Sequence, residues 1–133
     1  PRRAELLGGL EAQAARLAAD RITPEEIGVL DDLAREIAAT HAPREVGLLN
    51  NRFHLTIAAA SGNRDLVAEI SARRAELYAT VFATAGLRLP IEGEDEHHDD
   101  IVRALAARDG TAACEAMWQH HRATLEAVLR LAP

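Results

Sequence analysis

Apolar residues fall at helical spacing through most of the chain. Leu6, Leu7, Leu10, Ala14 and Leu17 recur with charged residues between them over residues 3–20, which predicts an amphipathic first helix. It stops near Ile22. There Thr23-Pro24-Glu25-Glu26 supplies an N-cap, a proline at the first helical position and acids in the first turn of a second helix. Ile27, Leu30, Leu33 and Ile37 form its inward stripe. Pro43 opens a third helix facing inward through Val46, Leu49, Phe53 and Ile57, and Ser61-Gly62-Asn63 ends it with a glycine in the expected C-terminal place. A fourth helix runs from about Asn63 through Leu66, Ile70, Leu77 and Val81, until the stretch 86–93 with Pro90 breaks the pattern. Ile101, Val102 and Leu105 mark a fifth. Asp109-Gly110-Thr111 separates it from a sixth, which carries Cys114, Met117, Trp118, Leu125, Val128 and Leu129 almost to the C-terminus. Nothing reads as a strand. The short connections predict an all-α fold, an antiparallel bundle of about six helices forming one domain over residues 1–133.

Composition adds constraints to this picture. Hydrophobic residues make up 48% of the chain but aromatics only 3%, so the core is filled by Leu, Ile, Val and a large share of Ala, which favours closely spaced helices. The formal charge is −6 and no stretch gathers Lys and Arg into a basic stripe, so this segment alone is not expected to grip DNA. Cys114 has no second cysteine to pair with and is expected to be a small core residue. With no long apolar run and no charged-then-apolar leader, the expected location is the cytoplasm, with no membrane association. Because the first residue is Pro1 and a helical pattern begins at once, the chain is expected to be part of a longer protein.

Against this apolar background, several polar residues fall on inward faces. Asn50 and His54 are four residues apart and share a face bordering Phe53 and Ile57. His98 precedes Ile101 and Leu105 by three and seven residues, and His120 follows Met117 by three. Three helices thus each offer an imidazole toward the interior. Burying a polar group without a partner costs on the order of a few kcal/mol, and a shared metal ion would satisfy all three. Neutral imidazole is a common ligand for zinc, nickel, copper and iron, and bundle cores build such sites from facing helices. The competing reading is that each histidine is hydrogen-bonded within the core. His41, His97 and His121 are expected in solvent, although periodicity alone does not decide between His97 and His98 or between His120 and His121.

The run from Asn50 to Asn63, with Phe53-His54 and Ser61-Gly62-Asn63, resembles the Asp-x-x-Phe-His segment followed by Ser-Gly-Asn of GntR-type transcription regulators with an FCD (FadR C-terminal) domain. His98-Asp99-Asp100-Ile101-Val102-Arg103-Ala104-Leu105 is similar to that family's His-x-x-Ile-x-x-Ala-Leu segment. Asp109, Ala113, Met117 and His120 fit its closing pattern, and Leu10-Glu11 with Ala14-Ala15-Arg16-Leu17-Ala18-Ala19 fits its first helix. The blocks agree in order and spacing. The resemblance implies metal ligands at His54, His98 and His120, with Asn50 where many members carry Asp. The ion it implies is divalent, zinc first and nickel or manganese as alternatives. Leu7 stands where members often carry an Arg, so a ligand contact there is not carried over.

The function this implies is a ligand-sensing domain, not an enzyme, in which a small carboxylate effector chelates the metal and changes the DNA affinity of a separate N-terminal winged helix-turn-helix. A homodimer is expected. Arg52, Arg73 and Arg74 are the candidates to orient the carboxylate, with Asn63 as a further effector contact, while surface roles for the arginines and a helix-capping role for Asn63 stand as the plainer readings. Two other classes compete. A metal-dependent hydrolase would use an open metal position to activate water, with Glu96 or Asp99 beside His98 as general base. A metal-free dimerisation module would use the histidines structurally.

Overall fold

A computed structural model describes residues 2–85 and 94–131, the side chains of residues 78, 80–85, 94–96, 128 and 131 excepted. Its elements are α1 (Arg2–Arg21), α2 (Pro24–Ala39), α3 (Pro43–Ala60), α4 (Arg64–Ala85), α5 (Glu94–Ala106) and α6 (Gly110–Leu131), with no strand among the described residues. The fold is all-α, as the periodicity predicts. The break expected over 86–93 and the inward place of Val81 and Val128 lie outside what the structure describes.

Local chemistry sets the helix ends. Thr23 is the N-cap of α2: its hydroxyl accepts from the backbone N–H of Glu26 at 3.2 Å, and the Glu26 carboxylate accepts from the Thr23 N–H at 3.0 Å. This reciprocal pair satisfies two N–H groups that a helix start would otherwise leave open. Pro43 begins α3 without a side-chain cap, and Gly62, at φ +69°, takes the left-handed turn after it. Asn63 then caps α4, its Oδ1 accepting from the N–H groups of Asp65 and Leu66 at 3.0 and 3.1 Å. Between α5 and α6 the left-handed residue is Arg108, at φ 56°, while Gly110, expected in the connection, is the first residue of α6. A Cβ on Gly110 would stand 3.1 Å from the Arg16 carbonyl oxygen, so it is the close approach of α1 that favours glycine there.

Helix α1 is the hub, packing against α3, α4, α5 and α6. A helix touched on so many sides needs small side chains, and Gly8, Ala12, Ala14, Ala15, Ala18 and Ala19 are all buried. The main core joins the alanines of α1 with Leu30, Leu33 and Ile37 of α2, Phe53 and Ile57 of α3, Ile101 and Leu105 of α5 and Met117 of α6. A second cluster, with Leu7, Ala14, Ala58 and Ile70, lies between α1, α3 and α4. Leu6, expected on the inward stripe, is 47% exposed, because the buried face of α1 is centred on Leu7 and the alanines instead of on the leucines. Leu129 is likewise exposed, and Cys114 is half-buried.

Candidate metal centre

Asn50 and His54 sit one turn apart on α3, His98 near the start of α5, and His120 in the middle of α6, so the packing of α3, α5 and α6 against α1 decides where they meet. His54, His98 and His120 are 4%, 0% and 2% exposed. One ligand atom of each lies within 4.8 Å of the others, an arrangement able to hold a metal ion. The Nε2 atoms of His54 and His120 are 3.2 Å apart, and Nε2 of His98 stands 3.0 Å from Oδ1 of Asn50. The rings pack on one another: His54 stacks on His120 at 5.1 Å between centroids, His98 tilts against His120 at 4.7 Å, and Phe53 walls the group by its edge contact with His98.

Two of the separations fit a common ion. Two donors each about 2.1 Å from one metal stand about 3.0 Å apart at a right angle and about 3.4 Å apart at the tetrahedral angle. Both measured separations fall in that range. His120 also has a buried Nδ1 without a hydrogen-bond partner among the described residues, so the imidazole is not accounted for as an ordinary core histidine. Burial, followed by the repulsion that a proton on His120 and protons on His54 and His98 would exert on one another, holds His120 well below the usual imidazole range, and burial with the Arg74 guanidinium lowers His54. Both rings are therefore neutral at pH 7 and have a lone pair to give.

Behind this group lies a carboxylate. Glu11 of α1 is 2% exposed, and its Oε1 lies 3.1 Å from Nδ1 of His54 and 2.9 Å from Nη1 of Arg74. Burial raises its carboxyl, but the attraction of His54 and Arg74, with His121 also close by, outweighs that, so it is held well below the usual carboxylate range. Arg74 also donates from Nε to Asn51 Oδ1 at 2.9 Å.

The FCD domain family matches this sequence over residues 4–128. The chain belongs to that family. Two solved structures share the fold. E. coli McbR/YncC is 17% identical, with a TM-score of 0.85 over 98% of this chain and 68% of its own. A transcriptional regulator (GntR family member) from Pseudomonas syringae pv. tomato str. DC3000 is 19% identical, with a TM-score of 0.83 over 97% of this chain and 54% of its own. No curated protein matches in sequence.

Within this FCD domain the remaining candidates are placed as follows. Arg52 is exposed, and Asn63 is exposed and used as a helix cap. Arg73 is half-buried and pairs with Glu69 at 3.2 Å. Arg74, for which a surface role was the plainer reading, is buried and committed to Glu11 and Asn51. His41 is exposed and His97 half-buried, its ring 5.9 Å from that of His120. His121, expected in solvent, is buried: its Nε2 lies 2.5 Å from the Ala4 carbonyl oxygen and its ring packs on Trp118. Among the carboxylates flanking His98, Asp99 is exposed, and the side chain of Glu96 lies outside the described residues. No described helix is long and apolar enough to cross a membrane.

Proposed function

We infer that this FCD domain is the sensing module of a DNA-binding regulator, in which Asn50, His54, His98 and His120 hold a divalent metal and a small carboxylate effector completes the coordination. The observation that carries this reading is the 3.2 Å approach of two neutral, buried imidazole nitrogens from different helices, with a third histidine and an amide oxygen alongside. Zinc suits this donor set first, and nickel or manganese would also accept it. Three imidazoles and one amide oxygen leave positions open on an ion of five or six ligands, where a chelating carboxylate would bind. The effector would act by favouring one arrangement of a homodimer, and DNA would be bound through a winged helix-turn-helix on a further segment. That the Pseudomonas syringae protein of the same fold is a transcriptional regulator supports this.

A hydrolase is less well supported, because Asp99 is exposed and Glu11 lies on the Nδ1 side of His54, away from the Nε2 that faces His120. Elemental analysis of tag-free protein purified without chelators tests the reading. About one ion per chain in the wild type, lost in His98→Ala, is expected. No ion in either would leave a metal-free module in its place. A second step, calorimetric titration of organic acids against loaded and stripped protein, should find binding only to the loaded form.

A further inference from the structure

Glu11 is the polar group beside the histidines that the coordination scheme leaves unused. We propose that Glu11 is a positioning residue for the metal centre, whose carboxylate engages the Nδ1 side of His54 and so turns the opposite nitrogen toward His120. This rests on the metal reading above. A neutral imidazole has one protonated nitrogen, and which one it is depends on the partner nearby. With Oε1 of Glu11 3.1 Å from Nδ1, the proton belongs on Nδ1, and Nε2, 3.2 Å from Nε2 of His120, keeps its lone pair. The two groups meet at ion-pair distance, with the ring N–H turned off the oxygen so that no hydrogen bond is formed in this geometry, and it is the nearby negative charge that favours the proton on Nδ1.

The carboxylate is itself held in place from three helices. Arg74 of α4 grips Oε1 at 2.9 Å while its Nε is anchored on Asn51, the neighbour of Asn50 on α3. His121 of α6, fixed on the Ala4 carbonyl, faces Oε2 at 3.7 Å. Carboxylates behind ligating histidines fix ring orientation and raise ligand basicity, and their loss typically costs 10- to 100-fold in metal affinity. A residue serving only as the counter-ion of Arg74 would have no need to stand against the ring edge of His54.

Two measurements decide. Long-range 1H–15N NMR of the metal-free wild type, with His54 assigned through His54→Gln, should show Nδ1 protonated and Nε2 bare; the opposite tautomer overturns the proposal. Zinc affinity, by competition with a chromogenic chelator, should fall about tenfold or more in Glu11→Gln at unchanged helicity. If that variant does not fold because Arg74 is left unpaired, the neutral pair Glu11→Gln with Arg74→Gln replaces it, with the same fall expected. A merely structural role would lower the melting temperature without moving the tautomer or the affinity of folded protein. Wild-type zinc binding with unchanged affinity in the folded variant overturns the role of Glu11 alone, whereas a wild type that takes up no zinc overturns the metal reading and this role with it.

Discussion

His54 of α3 and His120 of α6 bring their Nε2 atoms to 3.2 Å, and neither residue has solvent to fall back on. In the metal-free chain one of the two nitrogens must donate to the other, and Nδ1 of His120 is left without a partner among the described residues. An ion would exchange one hydrogen bond for two coordinate bonds. Anything that binds only the folded state stabilises it by mass action, so adding a chelator to loaded protein should lower the melting temperature by several degrees. His54→Ala and His120→Ala should melt near the chelated wild type and respond little to chelator. A thermal scan in which chelator leaves the wild type unmoved would speak for a structural role of the histidines.

Acid should destabilise the metal-free protein in a defined window. His54 and His120 have folded pKa values below the ordinary 6.5, so the folded state refuses protons that the unfolded chain accepts once the pH drops under about that value. Their stabilising contribution is complete above about 6.5 and is lost as the pH falls further, on the order of 1 kcal/mol per histidine per pH unit. Glu11 acts lower: its depressed carboxyl contributes stability that is complete above the ordinary 4.5 and is lost as the pH falls from there through its folded value. Urea unfolding in chelator should therefore show a clear loss between pH 7.5 and 5.5, and less of it in His120→Gln. A flat profile over that interval would contradict the neutral, buried state of these rings.

The six helices were legible because leucine, isoleucine and valine recur with helical period and because Thr23, Pro24, Pro43 and Gly62 mark ends with chemistry specific to those positions. The three histidines were legible for the same reason, each sitting three or four residues from a large apolar neighbour. Glu11, Arg74 and His121 were not, although the same arithmetic reaches them. Glu11 is four residues after Leu7 and four before Ala15, Arg74 is four after Ile70, and His121 is four after Met117, all of them buried. Two of these residues carry formal charges, which argue for solvent when each is taken singly. Only as a mutually neutralising set do they belong inside, and that set is assembled from α1, α4 and α6, far apart in sequence. Alanine added to the difficulty in α1, where a buried face made of small residues drew the expected stripe toward Leu6.

The α1–α6 crossing should be intolerant of one methyl group. A Cβ at Gly8 would stand 2.5 Å from Cδ2 of His121 and 2.8 Å from Cζ3 of Trp118, and the His121 ring is tied to the Ala4 carbonyl. Alanine gains about 1 kcal/mol of helix propensity over glycine, but forced overpacking costs about 1–3 kcal/mol, so Gly8→Ala should be destabilising on balance. Gly28→Ala, with nothing within 4 Å of the new Cβ, should instead stabilise by up to about 1 kcal/mol. Equal and positive effects in urea unfolding would mean that the helices are not in contact at Gly8.

Asn50 should set how firmly the ion is held in the absence of effector. Its Oδ1, 3.0 Å from Nε2 of His98, is an uncharged ligand atom, and imidazoles that bind an ion through nitrogen lone pairs bring no negative charge either. Among the described residues the one buried carboxylate nearby, Glu11, is balanced by Arg74. A divalent ion in this setting keeps nearly its whole charge uncompensated inside the protein, which weakens binding of the metal alone and favours an anionic ligand that arrives with it. Asn50→Asp replaces the amide by a carboxylate of nearly the same shape and supplies one negative charge at the ion. Zinc affinity without organic acid should rise by about tenfold or more, equivalent to about 1.4 kcal/mol, while the further gain from adding a carboxylate such as citrate should shrink, because part of the charge has already been neutralised. The two titrations must move in opposite directions. If Asn50→Asp leaves zinc affinity unchanged, the amide oxygen is not a ligand, and its contact with His98 is an ordinary hydrogen bond between side chains.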